Sequence, residues 1–113
     1  MMGYKLNVDG AMFVQDGSFG MGAIIRDHGG NVLAAMSCKG HGLLSAENME
    51  ACRSRRALQW AQEMGFRRIR WNHVRREGNG VAHELARRAA TINEDEYWFQ
   101  EAPEFVLGLI NDE

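Results

Sequence analysis

Alternating apolar and polar positions open the chain and predict a strand. Within residues 4–9, the apolar side chains of Tyr4, Leu6 and Val8 alternate with polar ones, which is the period of a half-buried strand. Residues 22–27 and 31–39 predict two further strands, and "HGG" between them is typical of a tight turn. Residues 1–39 are therefore predicted to form a three-stranded antiparallel meander.

The pattern then changes to helical spacing over residues 46–64. Ser45 is a suitable N-cap, and Gly65 is suited to the position just after the helix. A narrow stripe of small side chains recurs at positions i, i+3, i+7 and i+10, and we expect it to lie on the sheet. The stripe consists of Ala51, Ser54, Leu58 and Ala61.

Glu47 lies one turn before Ala51 on this stripe. Because burying an unpaired charge costs about several kcal/mol, a carboxylate on the sheet-facing side indicates a function. The alternative is an acid in the first turn that the helix dipole favours, and Glu50 satisfies that description equally well.

The second half of the chain predicts one more strand and two helices. Residues 66–76 predict a strand with Ile69 and Trp71 on one face. Residues 79–91 predict a helix capped by Asn79, and residues 102–113 predict a short helix. The order is βββ-α-β-α-(α), which predicts the α/β class with a mixed sheet.

The length of 113 residues predicts a single small domain over residues 1–113, in which residues 93–113 form an acidic C-terminal tail with the short helix. Hydrophobic residues make up 45% and charged residues 25%, as in ordinary globular proteins. The sequence predicts no membrane span and no signal peptide. Cys38 and Cys52 form no CxxC motif, so we expect reduced thiols in an intracellular protein.

The charge is unevenly distributed, although the net charge is only −2. Residues 53–88 contain ten arginines and three glutamates, whereas residues 93–113 contain seven acids and no lysine or arginine. A basic middle indicates a polyanionic partner. A solvated helix face, with the tail folded back onto it, accounts for the charge equally well.

Several segments together resemble the plant-type ribonuclease H-like domains of the reverse-transcriptase-associated ribonuclease H family. The resemblance covers nearly the whole chain in the right order. The segments are "KLNVDGA", "GMGAIIRDHGGNVLAA", "SAENMEACRSRRALQWAQEMGFRRI", "HVRREGNGVAHELARRA" and "YWFQEAPEFVLGLI". The resemblance implies a ribonuclease H-like mixed sheet, with three antiparallel strands plus a parallel strand and flanking helices.

The resemblance also implies a chemistry, the metal-dependent hydrolysis of the RNA strand of RNA–DNA hybrids. In this family, carboxylates hold two Mg²⁺ (or Mn²⁺) ions about 4 Å apart, which position the attacking water and stabilise the leaving oxygen. Mg²⁺ prefers oxygen ligands, so such a site is built from Asp and Glu.

The implied site residues are Asp9, Glu47 and His83. Asp9 matches the family's first metal-binding aspartate, although an Asx turn at a strand end is the structural alternative. Glu47 matches the glutamate at the start of the first helix. His83 stands in "VAHELA" where the family has its fourth acid, and neutral imidazole is a poor Mg²⁺ ligand. The third acid has no counterpart between Glu63 and Glu77, so the resemblance implies impaired catalysis.

The resemblance implies an internal deletion after residue 69, which would account for the missing acid. Related domains carry roughly 40 to 50 further residues there, within a domain of about 150, so the chain is expected to be a truncated domain. Arg70, Arg75 and Arg76 would lie where the family approaches its substrate backbone, and they are the predicted nucleic-acid-binding residues. The same arginines could instead be a solvated seam.

Three hypotheses follow: an impaired ribonuclease, a non-catalytic nucleic-acid-binding module, and a truncated relic. RNA–DNA hybrid is the expected partner for the first two. The deletion further predicts self-association through an uncovered sheet face, because exposed apolar patches seek partners.

Overall fold

The computed structural model describes residues 3–42, 46–66, 69–71 and 79–110. The side chains of residues 46, 47, 50, 53 and 69–71 lie outside that description. The strands are β1 (Tyr4–Phe13), β2 (Ser18–Arg26), β3 (Val32–His41), β4 (Ile69–Trp71) and β5 (Glu96–Phe99). The helices are α1 (Ala46–Glu63), α2 (Gly80–Arg88) and α3 (Leu107–Ile110).

The predicted α/β class and the antiparallel meander are confirmed. The strands lie in the order β4-β1-β2-β3-β5, and β1, β2, β3 and β5 form four consecutive antiparallel neighbours. The three-residue β4 pairs in parallel with the start of β1, where Tyr4 lies opposite Ile69.

Helix α1 covers one face of the sheet. Ala57, Trp60 and Ala61 of α1 are buried against strand residues such as Leu6 and Met36. The predicted stripe is wrong at Ala51, which is exposed. Burying a face that includes Trp60 removes more apolar area from water than burying a stripe of alanine and serine, so the helix turns that face inward.

Helix α2 covers the opposite face at very short range. Val81 and Leu85 are fully buried against Ile24 of β2. A Cβ atom added at Gly22 would lie 2.3 Å from the carbonyl oxygen of Ala82 and 2.4 Å from the Ala86 nitrogen. Only a strand without a side chain at this position admits the helix backbone so closely.

Part of the predicted acidic tail over residues 93–113 forms strand β5. It pairs with β3 in antiparallel register, with Ala34 opposite Phe99 and Ala35 opposite Trp98. The run Tyr97–Trp98–Phe99 is typical of a strand, but the acids on either side of it hide that signal in a charge analysis.

The uncovered sheet face predicted from the deletion is not found in the described central strands, because the middle of β2 and β3 is buried on both faces. Exposed apolar area lies instead at the β5 edge, where Tyr97 and Phe99 are each 56% exposed. Among the described helices, none is long and apolar enough to cross a membrane.

Candidate functional site

Asp9 lies in the middle of β1 and not at its end, because the strand continues to Phe13. Its cross-strand partner is Gly22, the residue that allows α2 to approach the sheet. Its Oδ1 atom accepts a hydrogen bond from the backbone N–H of Gly10 at 2.9 Å. The carboxylate is therefore fixed on the sheet face that α2 covers.

His83 projects from α2 to this carboxylate. Its Nδ1 atom lies 2.9 Å from Oδ2 of Asp9, and the His83 and Asp9 side chains are 52% and 27% exposed. The contact uses Nδ1, so Nε2 is the ring nitrogen left for a ligand or for water. The solvent-accessible Asp9–His83 pair is therefore the candidate site on this surface.

A row of cross-strand partners lies beneath α2 and orients it. The row consists of Asp9, Gly22, Ser37 and Glu96 on β1, β2, β3 and β5. Ser37 donates from Oγ to the Leu85 carbonyl at 2.7 Å, and Arg88 donates from Nε to Glu96 at 3.0 Å. Together with the contact between His83 and Asp9, these hydrogen bonds join α2 to three strands. They fix the orientation of the helix on the sheet and therefore the position of His83.

Asn79 adds an amide beside the same strand. Its Nδ2 donates to the Val8 carbonyl at 2.9 Å, next to Asp9 in β1. Its Oδ1 is buried and has no hydrogen-bond partner within residues 3–42, 46–66, 69–71 and 79–110. A buried acceptor without a partner is costly, so this oxygen is a candidate ligand for water or a cation.

The other predicted site residues are placed only in part. Glu47 lies in the first turn of α1, but its side chain is outside the description, and the stripe that favoured an inward carboxylate fails at Ala51. Arg70 lies in β4, opposite Lys5 of β1, with its side chain likewise outside the description. Arg75 and Arg76 lie outside the described residues.

The described donors do not fit a two-ion magnesium site. No group of three or more His, Cys, Asp and Glu side chains is placed to hold a metal in the described part of the chain. Asp9 supplies oxygen, but His83 supplies an imidazole nitrogen, which suits zinc, copper, iron and nickel better than Mg²⁺.

Sequence reasoning missed Gly22, Ser37 and Asn79 as parts of this site. Gly20 and Gly22 alternate within a strand, so they share one face, and this spacing could have indicated a closely packed helix. Nothing in the local sequence marks Ser37 as the partner of a helix carbonyl 48 residues away.

Comparison with known proteins relates the chain to one family. A family model described as reverse transcriptase-like matches residues 7–70, which is more than half of the chain. The match includes Asp9 and Glu47 and ends before His83. Neither the curated proteins nor the solved structures give a match.

Proposed function

The chain belongs to the reverse transcriptase-like family, the ribonuclease H-like domain of plant type, and we propose that it binds RNA–DNA hybrids through this domain. The family implies a nucleic-acid partner. We propose further that β4 takes the place of the family's parallel strand, and that the domain is truncated after residue 69.

The observation that carries the proposal is the contact between Asp9 and His83 at 2.9 Å. These residues come from "NVDGA" and "VAHELA", two of the segments that the family resemblance assigns to one site, and they are 74 positions apart. A contact between residues so far apart in the sequence is expected from the family's fold and is not expected from an unrelated one.

Hydrolysis by the family's route is expected to be impaired. That route needs several carboxylates around two divalent ions, because each ion carries two positive charges that oxygen ligands offset. Here His83 already contacts Asp9, and it brings no negative charge. The proposed function is therefore binding, which contacts with the phosphate backbone can supply without metal.

Salt dependence tests the binding. If three or four arginines contact phosphates, log K should fall with log[salt] at a slope of about −3. The experiment titrates salt against the binding of a labelled RNA–DNA hybrid in EDTA. The variant Arg75→Ala/Arg76→Ala should bind more weakly and reduce the magnitude of the slope by about 1.4 to 1.8, from one phosphate contact for each arginine.

A matched control removes two arginines elsewhere. Arg55 of α1 and Arg87 of α2 are both exposed, so Arg55→Ala/Arg87→Ala changes the net charge equally while leaving Arg75 and Arg76 intact. If the Arg75/Arg76 variant keeps the affinity and slope of the wild type, or if both variants lose equal amounts, the arginine stretch is not the binding surface.

A further inference from the structure

Sulfur-containing side chains gather in a pocket on the α1 side of the sheet, away from the face that holds Asp9 and His83. The pocket encloses about 50 Å³ between β2, β3 and α1. We call this cavity the sulfur pocket, because four of its lining residues carry sulfur: Met21, Cys38, Met49 and Cys52. Both cysteines of the chain are among them.

The fold brings these four residues together as two facing pairs. Met21 and Cys38 lie directly opposite one another in the antiparallel register of β2 and β3, and such partners have Cβ atoms about 4.5–5.5 Å apart. Met49 and Cys52 are three positions apart on α1, so they are neighbours on one helix surface. Met36 adds a fifth sulfur, with its Sδ 3.8 Å from Sγ of Cys38.

The pocket is shielded from water but is not closed. Met21 and Cys38 are each 3% exposed and Met49 is 5% exposed, whereas Cys52 is only partly buried. Cys52 therefore lies nearest to solvent and marks the entrance. Soft ligands at the centre and one accessible thiol suit an ion that enters from outside.

Arg56 supplies positive charge at the same pocket. It is one of the lining residues, and its Nη2 atom donates to Asp95 at 2.8 Å, which fixes the guanidinium. Burial and then the negative charge of Asp95 raise the pKa of the Cys38 thiol, and the Arg56 charge acts against that shift. A thiolate formed here on metal binding would have a cation beside it.

We propose that the sulfur pocket binds a soft monovalent metal ion, Cu(I), through the thiolates of Cys38 and Cys52. The thioethers of Met21 and Met49 complete the coordination. Thiolate and thioether ligands select Cu(I) over hard ions such as Mg²⁺. On binding, each thiol loses one proton, so Cu⁺ and two thiols give an anionic bis-thiolate complex and two protons, with no change in oxidation state. Arg56, which also pairs with Asp95, offsets part of the resulting charge.

The test is an anaerobic titration of the full chain with a Cu(I)–acetonitrile complex against a chromophoric Cu(I) chelator. The wild type should remove one equivalent of Cu(I) from the chelator, and the affinity should rise with pH because binding releases protons. Cys38→Ser and Cys52→Ser should each weaken binding by about 100-fold or more, because losing a partner outside the ligand shell already costs about 10- to 100-fold. Met49→Leu, which keeps both thiols and nearly the same volume, should weaken it less.

Two control variants distinguish the sulfur pocket from Cu(I) binding elsewhere on the chain. Met12→Leu, at an exposed methionine of β1, and His28→Ala, at an exposed histidine in the turn between β2 and β3, should both leave Cu(I) affinity unchanged. Bound Cu(I) should also protect both wild-type thiols from a thiol-reactive disulfide reagent, a measurement that needs no variant to fold. Failure to compete with the chelator, unprotected thiols, or equal affinity in Cys38→Ser/Cys52→Ser would show that the sulfur atoms are only core packing.

Discussion

At the scale of single residues, the contact between Asp9 and His83 depends on a glycine as much as on the two polar side chains. Gly22 lies opposite Asp9 and admits the backbone of α2, which carries His83 to the carboxylate. The sequence predicts Asp9 and His83 through their motifs, because those motifs are local. The resemblance places both residues in one site, but their direct contact at 2.9 Å is not predicted, because the length of β1 and the approach of α2 depend on packing between distant segments.

His83→Asp tests the site at this scale. Two carboxylates would then face each other where one now contacts an imidazole, so the metal-free variant should be less stable than the wild type. Mn²⁺, which accepts carboxylate ligands, should bind the variant about tenfold more tightly and restore its stability. Thermal melting with and without millimolar Mn²⁺, together with Mn²⁺ line broadening at Asp9, measures both effects.

His41→Asp is the control for that experiment. His41 is an exposed histidine at the end of β3, so the same substitution there adds the same charge away from Asp9. If both variants respond equally to Mn²⁺, or if broadening is confined to residues 93–110, the Asp9 surface is not a metal site.

At the scale of elements, the sequence predicts the longer strands and helices better than it predicts their ends. The predicted strand at residues 4–9 extends to Phe13, and the predicted helix over 79–91 ends at Arg88, before the 3₁₀ turn Ala89–Thr91. Strand ends depend on which neighbour continues the hydrogen bonding, and β2 pairs with β1 as far as Ser18 opposite Phe13. The alternation of side chains contains no information about that partner.

Gly22→Ala tests the contact between α2 and β2. The added methyl group would lie within 2.3–2.5 Å of helix backbone and of the Leu85 Cβ atom, so α2 would have to move away from the sheet. The free energy of unfolding should fall by about 1–3 kcal/mol, as measured by urea denaturation. The His83–Asp9 contact should weaken with it, which a change in the His83 imidazole resonances would detect.

Gly108→Ala provides the matched control in α3. A Cβ atom there has nothing within 4 Å, and alanine is the better helix former, so stability should stay equal or rise by about 0.4–1 kcal/mol. Equal losses of unfolding free energy in the Gly22 and Gly108 variants would mean that the close approach of α2 to β2 does not account for the effect at Gly22.

At the scale of the whole molecule, the 113 residues form a compact body. Its radius of gyration is 13.2 Å, close to the value of about 13 Å expected for a folded chain of this length. Helices on both faces of the central strands explain this, since β2 and β3 are covered without further segments. The class and the antiparallel meander are predictable from the alternation of side chains. Strand β5 is not, because its acidic flanks outweigh its aromatic run.

The last prediction concerns the β5 edge of this sheet. In the described part of the chain, β5 has β3 on one side and no strand on the other, and Tyr97 and Phe99 are both exposed. An edge strand with free backbone groups and aromatic side chains favours pairing with a second copy. We therefore expect concentration-dependent dimers in sedimentation velocity. Phe99→Lys should weaken them about ten- to a hundredfold, because it removes the burial of one aromatic side chain and adds like charges across the pair. Val14→Lys, at a side chain that is 72% exposed in the turn after β1, should leave them unchanged. A concentration-independent wild-type monomer, or equal weakening by both lysines, would rule out the β5 edge as the contact between copies.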